Sequence, residues 1–522
     1  MMVVMEEYRT VKRKKKKRHV GTGLYWVILL LAAVGFFIAF FRLPMFPRKW
    51  SWILALILIL IVGIGFLATV RMNKKSVLVK IYDIIFIVFF AIGSLVLPYV
   101  TDRISDMFSG GSGTVRINCY VMSDAYKAEH TENEYSSFIT EETAVEELGD
   151  AVFITSAGLD SSVQVYAQKS LKELTARDDL QIIDRQTLND AVESLYTGEG
   201  DVLILSSSYE SVIGDLPGFE RFKHETKVLH TVKMPVEQTI QGDESLTKKP
   251  FSIFFGGNDE DGELSLFGHT DVDMIVTVNP NSHQIAITSF PRDSYVQNPA
   301  LNDEYDKLTH LALSGLDNTI ESLDRVLGTE INNYVLVNYT TFRVIIDALG
   351  GIDVENPYAF EADDGEFFDE GVIHLQGDPA LMYVRERNHL PDGDFGRSMH
   401  QQLVMKAIIS KLTSADMIVH ANDLLTSLNG TFLTNISSDA LYGLIQKQLN
   451  ENISWNIVNY HIVGDIGYGT CAAAWGQELS VVFPYDSQVK FVSDVIAKVL
   501  NGDIIEQEEL PVGEYYYEEG GQ

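Results

Sequence analysis

Three uninterrupted apolar runs open the chain, Leu24–Phe41, Ser51–Val70 and Ile84–Thr101, before any regular alternation begins. A helix rises about 1.5 Å per residue, so each run approaches the ~30 Å hydrocarbon thickness of a bilayer. Three in succession, separated by short basic loops, predict membrane-spanning helices rather than buried core helices. Beyond Arg103 the pattern changes. Ala151–Thr155, Leu180–Asp184 and Val202–Leu205 read as strands, with helical periodicity at Ser161–Leu174 and Gln186–Tyr196. This βαβαβ order predicts a small parallel sheet. A charged, turn-rich stretch, Gln241–Lys249, marks the next boundary. After it, strands are predicted at Phe251–Phe255, Asp273–Asn279, Ile285–Phe290, Tyr334–Val337 and Ile352–Glu355. Helices are predicted at Asp317–Leu327, Thr341–Leu349 and Arg397–Leu412, with a short one from Asp378 leading into Tyr383-Val384-Arg385. Gly328 and Gly350 are helix stops, and Pro280-Asn281-Ser282 is a hairpin-like turn. The expected fold class is an N-terminal three-helix transmembrane region followed by extracytoplasmic α/β domains, the second a mixed α/β sandwich with a central sheet. The expected divisions are a basic tail (1–23), the spans (24–103), an accessory α/β domain (104–245, opening on a flexible linker at 107–114), a larger α/β domain (246–502) and an acidic tail (503–522).

Charge sets the orientation. Residues 1–80 hold 15 Lys/Arg against two Asp/Glu, whereas residues 104–522 hold 24 against 68. The first tail carries eight cations and the loop after the first run three, which places the amino terminus in the cytoplasm. Three spans then put everything after Arg103 outside. The cytoplasmic remainder is too short for an enzyme or a DNA reader, and the series of spans does not read as a cleavable signal peptide. An ectodomain with a net charge of −44 by these counts repels nucleic acid, and an anionic ligand there needs a local cluster of cations. Two cysteines, Cys119 and Cys471, exclude a disulfide-built scaffold.

Scarce cations are therefore the informative residues. Arg292 follows a strand, where α/β proteins bind ligands. Arg385 and Arg387 share one face if Tyr383–Asn388 is extended. Arg397 and Gln401 converge at i, i+4 on a helix. Arginine offers a rigid fork matched to phosphate oxygens. The alternative for any one of them is an exposed ion pair. Asp259 and Asp271 flank strands, as carboxylates that bind a hard cation would, or as ordinary loop acids would. Histidines 269, 374, 389 and 400 show no ligand spacing.

The stretches Thr270-Asp271-Val272-Asp273-Met274-Ile275, Ser289-Phe290-Pro291-Arg292-Asp293, Asp306-Lys307-Leu308, Asp347-Ala348-Leu349-Gly350-Gly351-Ile352, Tyr383-Val384-Arg385-Glu386-Arg387 and Asp394-Phe395-Gly396-Arg397 occur in this order. Together they resemble the LytR-CpsA-Psr (LCP) family of bacterial cell-envelope proteins over roughly residues 250–415. Topology and the intervening domain resemble its capsule-associated branch. The resemblance implies an LCP-type fold with Asp259 and Asp271 on Mg²⁺ or Mn²⁺. It implies a polyprenyl pyrophosphate held by Arg292, Lys307, Arg385, Arg387, Arg397 and Gln401, and catalytic roles for Arg292, Asp394 and Arg397. The lipid tail would lie in an apolar tunnel. It further implies transfer of a glycopolymer, capsular or teichoic-acid-like, from that lipid to peptidoglycan in a Gram-positive membrane, with a lipid pyrophosphatase as a variant. Where the family often has Gly-Arg-Ser-Asp, this chain has Gly268-His269-Thr270-Asp271, so one cation is replaced by a mostly neutral imidazole. No role is carried onto His269 or Asp273. A non-catalytic scaffold that regulates polysaccharide assembly is the competing class, and it would need neither the arginine set nor the aspartate pair.

Overall fold

The computed structural model describes residues 20–41, 48–71, 77–108, 113–236 (without 134 and 157–160), 242–258 (without 244), 264–414 (without 392), 432–507 and 510. The basic amino-terminal tail, Asp259 and the tail beyond Leu510 lie outside them. The chain folds as two compact units, Met1–Asp106 and Met107–Gln522.

The first unit consists of helices α1 (Val20–Phe41), α2 (Arg48–Arg71) and α3 (Val77–Phe108). Leu29, Phe36, Phe40 and Phe90 form its core. Phe36 sets one ring edge against Gly93, where a Cβ would come within 2.4 Å of it, so only glycine lets α1 and α3 approach this closely. The outward residues are apolar too: Leu30, Leu31, Leu56, Ile64 and Leu95 are more than half exposed. Among the described residues no helix is long and apolar enough to cross a membrane. The described side chains of α1 begin only at Val27.

The second unit contains two large sheets. Strands β1 (Gly113–Met122), β2 (Val152–Ser156), β3 (Gln181–Arg185), β4 (Val202–Ser206) and β5 (Thr226–Val236) pair in the order β3-β2-β4-β1-β5. The predicted β2–β3–β4 core is parallel, but β1 and β5 extend it antiparallel, so this sheet is mixed. Helix α4 (Ser161–Thr175) covers one face, burying Val163, Ala167 and Leu171. Helix α5 (Leu188–Tyr196) covers the other.

The larger sheet is built from β6 (Phe251–Asn258), β7 (Val272–Asn279), β8 (Gln284–Phe290), β11 (Asn333–Asn338), β16 (Leu433–Thr434) and β17 (Asn456–His461), in the order β16-β11-β6-β7-β8-β17. Both faces are covered, which is why β8 is buried at every position rather than alternating. Ile275 faces helices α7 (Leu316–Leu327) and α12 (Asp486–Asn501). Its neighbours Met274 and Val276 face the opposite layer, where Met405 and Ala440 pack. That layer holds α10 (Asp394–Leu412) and α11 (Ser438–Glu451). Helices α8 (Tyr339–Ala348) and α9 (Gly377–Arg385) pack beside α10 with the ribbon of β12 (Ile352–Asn356) and β15 (Gly371–Leu375), around a separate core containing Ile346, Leu381, Val404 and Ile408. A tiny β13–β14 hairpin (Phe360–Glu361, Phe367–Phe368) closes that core. Two more ribbons, β9–β10 (Tyr295–Asn298, Glu304–Lys307) and β18–β19 (Gly464–Cys471, Gln477–Pro484), and a short helix α6 (Leu308–Leu311) complete the unit.

The accessory sheet does not stand apart. Tyr120, Ile154 and Leu203 share one apolar cluster with Leu313, Cys471, Ala473, Leu479 and Val481.

Candidate functional site

The carboxyl ends of β6 and β11 and the amino end of β7 lie on the same edge of the larger sheet and open onto a cavity of about 290 Å³. Asn258, Asp271 and Asn338 line it from this edge. Arg385, the last residue of α9, and Arg397 and Gln401, in the first turns of α10, add three more polar groups. The remaining wall is apolar: Phe255, Val272, Met274 and Met405 on the sheet side, Phe342, Leu381, Val384, Val404 and Ile408 on the α8–α9 side. Arg397 and Ile408 are separated by eleven residues of one helix, about 16 Å. The cavity therefore runs from cations to hydrocarbon along the axis of α10.

A charge cluster backs the polar part. Arg292, just beyond β8, donates from Nη1 to Asp271 Oδ1 at 2.7 Å, and its Nε is 3.8 Å from Asp293. Burial opposes its charge, yet Asp271, Asp293 and Asp394 together hold the guanidinium pKa above its ordinary value. Arg397 pairs with Asp394 at 2.5 Å. Lys307, 8% exposed, reaches Asp293 at 3.3 Å and Asp215 of the accessory part at 3.6 Å. Arg385 lies over the Tyr339 ring, 4.7 Å from its centre. The i, i+4 expectation for Arg397 and Gln401 matches the helix they occupy.

The extended reading of Arg385 and Arg387 does not hold. Gly377–Arg385 is helical, because Leu381 and Val384 bury one helical face, and the chain turns extended only at Glu386. Arg385 lines the cavity; Arg387, two residues on, is exposed and does not. Arg292 sits behind the lining and touches it through Asp271, and Lys307 lies one step further back, on the Asp293 that also flanks Arg292.

Sequence reasoning missed three groups. Asp273 is 1% exposed, with neither carboxylate oxygen hydrogen-bonded. Burial lifts its pKa well above the ordinary range, and Asp271 and Asp293 add to that lift against Thr270 and Arg292. Asn258 lines the cavity with a buried Oδ1 that has no partner. Asp215, at the end of the short helix Glu210–Gly214 in the accessory part, pins Lys307. The signal for Asn258 was its place directly after Gly256-Gly257 at a strand end; a strand covered on both faces offers no pattern that marks Asp273. His269 is buried, and burial, His310, Arg292 and Lys307 all push its pKa down. It supplies no cation.

Hard-cation chemistry asks for oxygen donors, and Asp271 with the unpartnered Asn258 Oδ1 fits that demand. Among the described residues, two other groups bring three donors within 4.8 Å of one another: Asp306, His310 and Cys471, all buried, and Asp363, Glu386 and His389, partly exposed.

Residues 220–477 match the model of the LytR_cpsA_psr family. A polyisoprenyl-teichoic acid–peptidoglycan teichoic acid transferase, TagU, of Bacillus mycoides is 33% identical over 268 residues, covering 50% of this chain and 86% of the relative. TagU of Enterococcus faecalis is 34% identical over 195 residues, 37% of this chain and 63% of the relative. The crystal structure of Bacillus subtilis TagV aligns with a TM-score of 0.41 at 28% identity, over 49% of this chain and 98% of that one. With the match to the Bacillus relative extending over most of that protein, the chain belongs to the LytR-CpsA-Psr family.

Proposed function

We propose that this protein is a membrane-anchored, extracytoplasmic phosphotransferase that moves a glycopolymer from a polyprenyl pyrophosphate to peptidoglycan. The carrying observation is the polarity of the cavity along α10: Arg397 and Gln401 on its first turns, with Arg385 arriving from α9, then Val404, Met405 and Ile408. That gradient suits a ligand with an anionic head and a hydrocarbon tail. The names of the TagU relatives describe the same class of reaction. The polymer transferred is a capsular or teichoic-acid-like glycan, and the topology favours the capsule-associated branch.

Arg385 and Arg397 clamp the pyrophosphate, Gln401 donates to it, and Arg292 and Lys307 contribute charge from behind. Fixed donors stabilise the negative charge that grows on the leaving phosphate. Asp394, whose side chain is 24% exposed, accepts the proton of the attacking sugar hydroxyl. Asp259 and Asp271, with Asn258, would hold Mg²⁺ or Mn²⁺, which when bound neutralises phosphate oxygens. The cavity walls exclude water from the reacting bond. Arg387, exposed beside the cavity, is a contact for the outer part of the substrate.

The three apolar runs of the sequence, Leu24–Phe41, Ser51–Val70 and Ile84–Thr101, are the membrane anchor. Their outward Leu and Ile side chains would be costly in water and are matched by lipid, and the eight cations before α1 keep that end in the cytoplasm. The test is transfer of a lipid-pyrophosphate-linked glycan to a peptidoglycan fragment by the detergent-purified chain. Arg385→Lys and Arg397→Lys keep the charge but lose the fork, and each is expected to lower kcat/KM at least about tenfold. Full activity in both would leave a scaffold as the better reading.

A further inference from the structure

Helix α9 ends on open carbonyls, and side chains of α10 close them. The Glu386 N–H donates to the Met382 carbonyl at 3.1 Å, but the Arg387 N–H turns to the Glu386 carboxylate at 2.9 Å. The carbonyls of Tyr383 and Val384 are thus left to donors outside the helix. Consecutive residues of α10 supply them: His400 Nδ1 lies 3.3 Å from the Tyr383 oxygen, and Gln401 Nε2 donates to the Val384 oxygen at 3.4 Å. A carbonyl only accepts, so Nδ1 carries the imidazole proton. The His400 ring also lies against the Tyr383 ring, with centres 4.1 Å apart and planes inclined by 13°. Phe360 and Tyr358 complete the aromatic surround, at 5.1 and 5.8 Å. His400 is fully buried, and its Nε2 has no partner. A phenylalanine would fill this box without burying an unpaired nitrogen. What sets histidine apart here is the N–H that it turns to α9. Burial pushes the imidazole pKa down to about 4, against the Tyr383 carbonyl and the charge of Glu386, and keeps the ring neutral with that single proton.

We propose that His400 is a positioning residue for Arg385: through the Tyr383 carbonyl it fixes where α9 ends, and with it the point from which the Arg385 fork enters the cavity. The inference rests on the phosphotransferase reading above and explains how one of its two clamping arginines is aimed. Arg397 has its own anchor in Asp394, at 2.5 Å. Among the described residues Arg385 has no such carboxylate. It rests on the Tyr339 ring, 4.7 Å from the ring centre, an attraction with little directional demand. Its aim is therefore set by the backbone that carries it. Tyr383, two residues before it, is held by its ring and carbonyl against His400 and by its hydroxyl, which donates to Asn356 Oδ1 at 3.1 Å. His400 does not line the cavity, so its effect on a ligand passes through the end of α9.

Geranyl pyrophosphate is the probe, titrated calorimetrically into the detergent-purified full chain. His400→Phe keeps the ring and removes the donor; it should raise Kd about tenfold, since a contact misplaced by about 1 Å loses much of its strength. Double-mutant cycles then say through which arginine the loss runs. In an Arg385→Lys background His400→Phe should add almost nothing, because the fork it aims is already gone. In an Arg397→Lys background it should add its full effect, although Arg397 is one turn away on the same helix; general damage to α10 would give the opposite pattern. An unchanged Kd in His400→Phe, or the same penalty in the wild-type, Arg385→Lys and Arg397→Lys backgrounds, overturns the proposal and leaves the transferase reading intact. No binding of the probe by the wild type overturns that reading, and this inference with it. If His400→Phe does not fold, His400→Leu, likewise without a donor, takes its place in the cycles. Failure of both to fold makes His400 a packing residue and overturns the proposal.

Discussion

Arg292 needs its acids, and the acids need Arg292. Its guanidinium is flanked by Asp271 and Asp293, within the field of Asp394, and Asp273 lies beneath. A lone cation in an acidic chain is legible because it is scarce; which acid faces it is not, since Asp271 and Asp273 are alike in sequence and only the fold buries one completely. Asp324 shows the same problem away from the site. Burial raises its pKa to about 6, although its Oδ1 accepts the Ile331 N–H at 2.9 Å. A carboxyl group harder to ionise when folded costs stability above its folded pKa and costs nothing once it is protonated in both states. Asp324→Asn keeps the acceptor and removes the charge. It should raise the melting temperature by about 1–3 °C at pH 7.5, with the gain shrinking through pH 6 and gone near pH 4. A gain that grows on acidification would contradict this assignment.

Among the elements, helix α9 is where local pattern and structure part company. Tyr383-Val384-Arg385 has β-prone residues, but Ala380, Leu381 and Val384 bury a helical face against α8 and α10, and packing overrides propensity. Strands with dense apolar runs, β6 to β8 and β11, were legible. The β18–β19 ribbon was not: Gly464, Gly467 and Gly469 dilute its pattern. At the start of α9, Gly377 lets the helix meet α8, where a Cβ would lie 2.8 Å from the Arg343 carbonyl oxygen and 2.8 Å from an Asp347 carboxylate oxygen. The Gly377 N–H also binds Asp347 at 2.8 Å. Gly377→Ala must push the helices apart. It should cost about 1–3 kcal/mol in denaturant unfolding and lower transfer by displacing Arg385. Gly214→Ala, in a short helix with nothing within 4 Å, is the control expected to be silent.

For the molecule as a whole, the accessory sheet reaches into the site. Asp215 meets Lys307 at 3.6 Å across the shared core, and is itself half exposed. Asp215 stays half in solvent and Lys307 keeps Asp293, so the pair contributes about 0–1 kcal/mol and Asp215→Asn should leave stability nearly unchanged. It would free one of the two carboxylates holding Lys307, and KM for the lipid-linked donor should fall by up to about fivefold. An unaltered KM would remove Lys307 from the substrate's surroundings. This long-range pairing had no trace in the sequence, where the two residues stand 92 positions apart. The cavity also lies between two separately filled cores, one holding Met274 and Met405, the other Leu381, Val404 and Ile408. Neither core depends on the other to exclude water, so a hydrocarbon chain entering the seam becomes the third apolar layer. Calorimetry should register this as a negative heat-capacity change on binding that deepens with each added isoprene unit until the cavity is full. A water-soluble pyrophosphate without a tail would bind with almost none.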